Sequence, residues 1–350
     1  MGTFKAIAAT KSLARRWAAQ LYARSPAFLR SLQGNVVILM YHRVVSGDEL
    51  EAYYIQDGMY VSVDSFAAQM RFLKAHFAVI SFAELLTMWA EKRWDPAQRY
   101  CVVTFDDGWL DNYTHALPVL KDYDVPATVF LPTSFVGTNE WFWPDKVGWL
   151  YQRFALRAVV EQERIVADLR NQHAWLGGVE AAIFRKDSDA IVEWCKTLVP
   201  DQIDSLVSGW AAALEVTLPT DRQIVNWNEV RAMSEAGLSF GSHSVTHTIL
   251  TKLGSDEIMR EAADSWSALR QQSIRSIPVF CYPNGDWSEE IGRCVKAAGY
   301  QAATTTQFGY ETRIPSNLFG LKRVGVHNDI TCNDALFAFH LAGYNDFRSR

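Results

Sequence analysis

The sequence predicts an α/β fold, a distorted (β/α) barrel of about seven parallel strands that carries one helical insertion. Two observations predict this class. Short apolar runs alternate with segments of helical periodicity along most of the chain, which is typical of parallel α/β proteins. Between about residues 135 and 222 a Trp-rich, charged segment with several helical patterns interrupts the alternation. An open doubly wound sheet is the alternative, but no GxGxxG follows a predicted strand, which disfavours its dinucleotide-binding form.

The predicted elements follow one another in a regular order. The apolar runs predicted as strands are Val36–Met40, Cys101–Phe105, Ala127–Leu131, Leu238–Gly241, Ile277–Tyr282, Tyr300–Thr304 and Gly320–Val326. The segments predicted as helices of the barrel domain are Val63–Phe77, Phe82–Trp89, Asn112–Tyr123, Trp227–Ala236, Ser255–Arg270, Ser288–Ala298 and Thr331–Leu341. Asp64 and Ser255 are expected to be N-caps, and Pro118 is expected to kink or break its helix.

The barrel domain is expected to cover residues 35–350, with the insertion at about residues 135–222. A structureless loop of that length is uncommon, so the insertion should contain helices. Val147–Val159 and Ala190–Leu198 have the helical patterns that support this expectation.

Residues 1–34 are predicted to be a separate basic, amphipathic helical region. Between Met1 and Gly47 the chain has basic residues and no acidic residue, and apolar side chains recur among alanines at helical spacing. Such a helix can lie on an anionic membrane surface, or it can pack on the domain. Lys5, Lys11 and Arg15 interrupt the apolar residues, so no signal-peptide core is expected.

Composition excludes several classes of protein. The formal charge is −5, from 34 basic and 39 acidic residues, which argues against a nucleic-acid-binding protein. The five cysteines form no CxxC pair, so a disulfide framework and a zinc–thiolate site are both disfavoured. A reducing compartment is the simpler interpretation. We therefore expect a cytoplasmic protein that is peripheral to the inner membrane.

Polar residues collect where four predicted strands end. His42 follows the first strand, Asp106 and Asp107 the second, and His243 the fourth, while the sequence 282–285 follows the fifth. In a parallel barrel these strand ends open onto one face, where the active site lies. The sequence therefore predicts two aspartates and two or three histidines in one pocket.

The residue types at this face suit a metal site. His243 and His247 are four residues apart, which places both imidazoles on one side of a helix or tight loop. Two imidazoles and one carboxylate suit zinc or a related divalent ion. The adjacent Asp106 and Asp107 diverge at a strand end, so one can bind the metal while the other accepts a proton from water. Each pattern alone is common in structural turns, and their combination is what carries the prediction.

These residues resemble the polysaccharide deacetylase family, also called the NodB-homology carbohydrate esterases. The resemblance is carried by Thr104–Gly108 (TFDDG) and His243–His247 (HSVTH). Phe280–Gly285 (FCYPNG) resembles the third motif of the family. Met40–Val44 (MYHRV) resembles the branch that deacetylates poly-N-acetylglucosamine and related glycans. The resemblance implies hydrolysis of an N-acetyl or other small acyl group from an amino sugar, with a divalent metal that is usually zinc.

Carried over by motif, the resemblance implies that Asp107, His243 and His247 are metal ligands and that Asp106 is the general base. A backbone N–H near Asn284 is expected to help bind the oxyanion. The predicted substrate contacts are Tyr282, Pro283, Asn284 and Trp143. Trp143 has a second interpretation, as a packing anchor of the insertion.

The sequence departs from the family pattern in two places. The third motif commonly has an arginine that orients the catalytic aspartate, and the corresponding residue here is Cys281. The fifth motif is imperfect, with Leu321–His327 reading LKRVGVH. By resemblance to the branch with the early MYH segment, we expect His42 to be the general acid, with His327 as the second candidate. Arg323 is a candidate for the missing guanidinium.

The leading hypothesis is a metal-dependent N-deacetylase that acts on a glycan, or on a lipid- or nucleotide-linked sugar of surface polysaccharide synthesis. The alternative is a carbohydrate-binding protein that keeps the fold and has impaired catalysis, as the altered motifs suggest. A glycosidase is disfavoured, because retaining glycosidases need carboxylates that face each other about 5 Å apart, and adjacent strand residues diverge.

Overall fold

The computed structural model describes residues 14–173, 175–176 and 187–344. The chain divides into two compact units, which are described separately. The first comprises residues 1–45, 57–137 and 224–350, and the second comprises residues 46–56 and 138–223.

The first unit is built on a closed ring of parallel strands. The strands of the ring are β1 (Asn35–Tyr41), β2 (Tyr100–Phe105), β3 (Ala127–Leu131), β4 (Ser239–Ser242), β5 (Ser276–Cys281), β6 (Ala302–Phe308) and β7 (Leu321–Gly325). Each strand pairs with the next in chain order, and β1 pairs with both β2 and β7, which closes the ring. The predicted parallel (β/α) barrel of seven strands is confirmed.

The strands are continuous apolar runs because both of their faces are covered. Every residue of β2 and of β3 is buried, as expected for a parallel sheet flanked by helices. Two short strands add to the ring at its margins: Glu311–Thr312 pairs antiparallel with β1, and Ala78–Val79 pairs with β2. Arg43–Val45 and Tyr60–Ser62 form a separate two-stranded parallel sheet.

Helices connect the strands. The helical segments of the first unit are residues 14–23, Pro26–Arg30, Val63–His76, Phe82–Ala90, Asn112–Ala116, Leu117–Asp122, Trp227–Glu235, Leu250–Lys252, Ser255–Arg270, Pro283–Gly285, Glu289–Ala297, Asn328–Thr331 and Asp334–Leu341. Among the described residues, none of the helices has both the length and the apolar character needed to span a bilayer.

Two local predictions were wrong in detail, and a third was right. Ser62, not Asp64, caps the helix Val63–His76, because its side chain accepts a hydrogen bond from the Ser65 amide. Gly254, not Ser255, occupies the N-cap position of the following long helix. The expected interruption near Pro118 is confirmed: the helical segment from Asn112 is a π-helical turn followed by an α-helix, and Pro118 lies in the first turn of that α-helix, where a proline is tolerated.

The second unit is helical. Its helices are Gly47–Ala52, Trp143–Ala155, Val159–Gln172, Ser188–Cys195 and Pro200–Leu214. The expected single helix Val147–Val159 is wrong, because one helix ends at Ala155 and another begins at Val159. The sequence also gave no sign that residues 46–56 belong to this unit. Trp143 is partly buried against the core of the unit, as its packing interpretation predicted.

Candidate active site

Three predicted metal ligands converge at the carboxyl ends of β2 and β4. Asp107 Oδ1 lies 3.2 Å from His243 Nε2 and 3.2 Å from His247 Nε2. The ligand atoms of the three residues all lie within 4.8 Å of one another. Asp107 and His243 are buried, and the side chain of His247 is 18% exposed. The cluster is therefore reached from solvent mainly on the His247 side.

The backbone adopts unusual conformations to place these side chains. The φ angles of Asp107, Ser244 and His247 are +73°, +66° and +59°, in the left-handed region that non-glycine residues rarely occupy. Each such residue costs about 1–3 kcal/mol and persists where the surrounding structure enforces it. Gly108 has a φ of +67°, and an added Cβ would lie 2.5 Å from Leu131 Cδ2, so the Leu131 side chain would have to shift. The TFDDG and HSVTH segments therefore place the ligand side chains through locally strained backbone conformations.

The histidine loop is held by hydrogen bonds to side chains. Ser244 Oγ accepts from the His247 amide at 3.0 Å. Glu261, on the helix Ser255–Arg270, accepts from the amides of Val245 and Thr246 at 2.7 and 2.9 Å. Sequence analysis missed Glu261, because an acidic residue within an amphipathic helix has no local signal that distinguishes it from a solvated one.

The hydrogen bonding of His243 identifies what the cluster can bind. Its Nδ1 lies 2.8 Å from the Cys281 carbonyl oxygen, which can only accept, so Nδ1 carries a proton. In the neutral ring Nε2 then has a lone pair, and that lone pair faces an oxygen of Asp107. Because two hydrogen-bond acceptors repel each other at the distance between His243 Nε2 and Asp107 Oδ1, either a cation lies between them or the ring carries a second proton. In the second case, without a metal, burial raises the pKa of Asp107, but the hydrogen bonds from His243 and His247 outweigh it and hold that pKa well below its usual range.

The donor set fits a divalent metal. In a tetrahedral zinc site with ligand bonds of about 2.0–2.1 Å, the ligand atoms are separated by about 3.3 Å. The two carboxylate–imidazole distances of 3.2 Å match that spacing. A backbone carbonyl on the remote nitrogen of a ligand histidine is also the usual partner that fixes its tautomer. Asp107, His243 and His247 would therefore hold the ion.

Asp106 is fixed by a buried arginine. Arg323 Nη1 and Nη2 donate to the two oxygens of Asp106, each at 2.7 Å, and the arginine is fully buried. Burial raises the pKa of Asp106, but the Arg323 guanidinium outweighs it, and the net pKa is below the ordinary value. Arg323 Nη2 also lies 3.2 Å from Cys281 Sγ. The guanidinium that the third motif lacks at Cys281 thus comes from β7.

An irregularity in the barrel lies next to Arg323. The register between β6 and β7 shifts between Leu321 and Arg323, and Arg323 Nε donates to the Thr305 carbonyl at 2.9 Å beside this shift. Irregular pairing of this kind commonly redirects a side chain next to an active site. The sequence could name Arg323 as a candidate but could not predict its direction.

His42 lies beside the same carboxylate, and His327 does not. His42 Nε2 is 3.9 Å from Asp106 Oδ2, and its side chain is 16% exposed. Burial lowers the pKa of His42, while Asp107 and Asp106 act in the opposite direction. His327 instead contacts the carboxylate of Asp329, and its ring packs against His340. Of the two candidate acids, the geometry favours His42.

Two of the predicted substrate contacts are wrong. Tyr282 is fully buried, and its hydroxyl donates to the Phe319 carbonyl at 2.9 Å. Pro283 is also buried. Asn284 is exposed, with a φ of +60°, and its side-chain amide donates to Asp286. The third-motif segment therefore presents Asn284 to solvent, while Tyr282 supports the segment from behind.

Comparison with known proteins gives the family. Residues 94–303, more than half of the chain, match the family model described as Polysaccharide deacetylase. The chain belongs to the polysaccharide deacetylase family. The resemblance inferred from the TFDDG and HSVTH sequences is therefore confirmed.

Relatives of this family member include a Bacillus subtilis protein named as a polysaccharide deacetylase, YxkH, which is 21% identical over 290 residues, 83% of this chain and 70% of that protein. The poly-beta-1,6-N-acetyl-D-glucosamine N-deacetylase of Staphylococcus epidermidis is 32% identical over 124 residues, 32% of this chain and 40% of that protein.

Two solved structures share the fold. The deacetylase PplD of Streptococcus pyogenes, in complex with acetate, superposes with a TM-score of 0.56 at 19% identity and covers 88% of this chain and 98% of its own. IcaB of Ammonifex degensii superposes with a TM-score of 0.54 at 17% identity and covers 87% of this chain and 97% of its own.

Proposed function

We propose that the chain is a divalent-metal-dependent N-deacetylase that removes an acetyl or other small acyl group from an amino sugar. One observation carries the proposal: Asp107 meets His243 and His247 at ligand spacing, with Asp106 beside them. The staphylococcal relative, named for poly-beta-1,6-N-acetyl-D-glucosamine, supports an N-acetylglucosamine-containing substrate. We propose a glycan, or a lipid- or nucleotide-linked sugar of surface polysaccharide synthesis, as the molecule acted on.

The residues divide the chemistry between them. A divalent ion held by Asp107, His243 and His247 would supply Lewis acidity, which activates water and polarises an acyl carbonyl. Asp106 is ionised and is held in one orientation by Arg323, so it can accept the proton of the attacking water. His42 starts neutral because burial lowers its pKa. At 3.9 Å it is close enough to receive that proton and deliver it to the leaving amine after a small movement.

Zinc is the ion we propose. Two imidazole nitrogens and one carboxylate oxygen form the three-ligand set of catalytic zinc sites, which leaves positions for substrate and water.

Acetate release tests the proposal. The purified chain loaded with zinc is expected to release acetate from β-1,6-linked N-acetylglucosamine oligomers. Chelation should reduce release to background, and added zinc should restore it, because the ion supplies the Lewis acidity. His243→Ala should abolish release, whereas His76→Asn, whose ring packs on Phe28 and Phe72 away from the cluster, should retain it.

If no acetate is released from N-acetylated oligomers, or from lipid- and nucleotide-linked N-acetylhexosamines, the proposed deacetylase activity is refuted. Glycan binding that chelation leaves unchanged would then favour the carbohydrate-binding alternative. That alternative arose from the altered third and fifth motifs, and the contact between Arg323 and Asp106 answers the first of these alterations.

We further propose that the helix over residues 14–23 rests on an anionic membrane surface, in a cytoplasmic protein that is peripheral to the inner membrane. Ala19 packs against Ala335 and Leu336, which docks one face of the helix. On the other face, Trp17 and Leu21 are each 71% exposed. Residues 14–34 contain four arginines and no acid, in a chain whose net charge is −5. Exposed apolar side chains beside basic ones are typical of interfacial helices.

Vesicle binding tests this placement. The chain is expected to co-sediment with phosphatidylglycerol-containing vesicles, and less with phosphatidylcholine alone, because the arginines need anionic headgroups. Trp17→Ser with Leu21→Ser should lower binding several-fold without changing acetate release. The matched control is Leu156→Ser with Val160→Ser, which removes two apolar side chains of the second unit that are even more exposed. Equal sedimentation of both double variants, or none by the unaltered chain, would contradict the placement.

A further inference from the structure

Asp107 uses only one of its two oxygens in the cluster with the histidines. Oδ1 faces His243 and His247, whereas Oδ2 accepts a hydrogen bond from Trp109 Nε1 at 3.0 Å. The indole is 4% exposed, so this bond is shielded from water. A carboxylate can bind a cation through one oxygen or both. The Trp109 N–H occupies the second oxygen and leaves one for the metal.

The indole is itself held from behind. The Arg43 guanidinium carbon lies 4.5 Å from the centroid of the Trp109 ring, in cation–π geometry. Arg43 Nε donates to Asp111 Oδ2 at 2.7 Å, and both residues are buried. Asp111 Oδ1 accepts from the Val44 amide at 3.0 Å. The series Asp111, Arg43, Trp109 and Asp107 is therefore continuous and largely excluded from solvent.

The same residues join the two segments that bear the reacting groups. Asn112 Nδ2 donates to the His42 carbonyl at 2.8 Å and to Asp111 Oδ1 at 3.2 Å. A π-helical turn begins at Asn112, and turns of this kind occur frequently at functional sites. The loop after β2, which has Asp107, is thus tied to the segment after β1, which has His42.

We propose that Trp109 is a positioning residue for the metal ligand Asp107, and that Arg43 and Asp111 hold Trp109 in place. The inference rests on the proposed metal-dependent function. Trp109 acts by restricting Asp107 to one ligand oxygen, which keeps the remaining coordination positions for water and the acyl group. Partners that orient metal ligands typically contribute about 10–100-fold to metal affinity.

Zinc affinity tests the inference on the full chain. Trp109→Phe keeps a ring beneath Arg43 and removes the N–H, so zinc affinity, measured by competition with a chromophoric chelator, should fall about 10–100-fold. The zinc concentration for half-maximal activity should rise by the same factor, with kcat at saturating zinc restored toward that of the unaltered chain. The matched control is Trp94→Phe, which removes an indole N–H bonded to the Gly34 carbonyl at 3.1 Å and should leave zinc affinity unchanged.

Other outcomes distinguish failure of this inference from failure of the proposed deacetylase function. Equal zinc affinity for Trp109→Phe and Trp94→Phe would overturn the inference and leave the deacetylase proposal intact. No zinc binding by the unaltered chain would overturn both. Circular dichroism of the metal-free protein shows whether Trp109→Phe folds. If it does not fold, Arg43→Lys is the variant that tests the inference, because it keeps the positive charge but loses the planar group that stacks on Trp109. Arg43→Lys should lower zinc affinity several-fold. Unchanged affinity in folded Arg43→Lys would then overturn the inference.

Discussion

Arg323→Met is expected to lower the free energy of unfolding by about 3–5 kcal/mol, because it leaves the buried Asp106 carboxylate without its partner. Deacetylase activity should fall with it, since Asp106 loses both hydrogen bonds that orient it. The pKa of Asp106 should rise towards the value that burial alone would set, so the acidic limb of the kcat/KM profile should move to higher pH. Urea unfolding at several pH values and a pH–rate profile are the measurements.

The sign of the stability effect follows from the lowered pKa of Asp106. The ion pair contributes stability above the ordinary aspartate pKa of about 3.9, and this contribution is lost as pH falls through the lower folded-state value. The difference between the unaltered chain and Arg323→Met should therefore be full above the raised pKa of Asp106 in the variant, and should shrink as pH falls from that pKa towards the lowered pKa of the unaltered chain. A difference that stays constant across this range would exclude the ion pair as its cause.

Moving the arginine from position 323 to position 281 is the most specific control for the role of Arg323. Cys281 Sγ lies 3.2 Å from Arg323 Nη2, so an arginine at position 281 can reach the same carboxylate from β5. Arg323→Cys combined with Cys281→Arg is expected to recover stability and part of the activity that Arg323→Cys alone loses. Arg323→Lys should recover less, because an ammonium group cannot form two parallel bonds to a carboxylate. If the relocated arginine restores neither property, Arg323 does more than orient Asp106.

Asp106→Asn is expected to lower kcat by about 10²–10⁴-fold, the usual contribution of a positioned base, while zinc affinity stays close to that of the unaltered chain. The amide cannot accept the proton of the attacking water, and Asp106 is not one of the three ligands. Asp107→Asn should show the opposite pattern, with weakened zinc binding as the primary defect. Single-turnover acetate release and a zinc titration of both variants distinguish the two roles.

His42→Gln completes that comparison. The variant should retain zinc and lose kcat, since His42 lies beside Asp106 and outside the ligand cluster. His327→Gln is the matched control, because His327 contacts Asp329 and His340 instead. Loss of kcat in His327→Gln but not in His42→Gln would reverse the assignment of the acid.

The strands and the predicted ligands could be read from the sequence because both depend on local patterns. A strand buried on both faces is a continuous apolar run, and the carboxyl ends of parallel strands share one face. These two rules place Asp106, Asp107 and His243 together without knowledge of the rest of the chain. The adjacent carboxylates also diverge, but both lie beyond the end of β2 and Asp107 has a left-handed φ of +73°, so strand alternation alone does not account for it.

The supporting residues depend on contacts between distant segments and could not be read in this way. The approach of Arg323 to Asp106 joins two positions 217 residues apart, beside an irregular register between β6 and β7. Trp109 directly follows the TFDDG sequence and donates a hydrogen bond to Asp107. The backbone between them is left-handed at both Asp107 and Gly108, and the sequence indicates that conformation only at the glycine. Tyr282 was wrongly expected to contact substrate. Its hydroxyl instead donates to the Phe319 carbonyl, 37 residues along the chain, and a contact over that separation leaves no local sequence signal.

Closure of the barrel between β7 and β1 determines when the active site can exist during synthesis. Asp106 and Arg323 are separated by 217 positions. At ribosomal rates of about 5–20 residues per second, roughly 10–40 s pass between the emergence of these two side chains. Throughout that interval β1 keeps one unpaired edge, and the aspartate lacks its counter-charge. Unpaired edges of this kind can associate with other chains, so the nascent chain stays open to aggregation until its last strand pairs with β1.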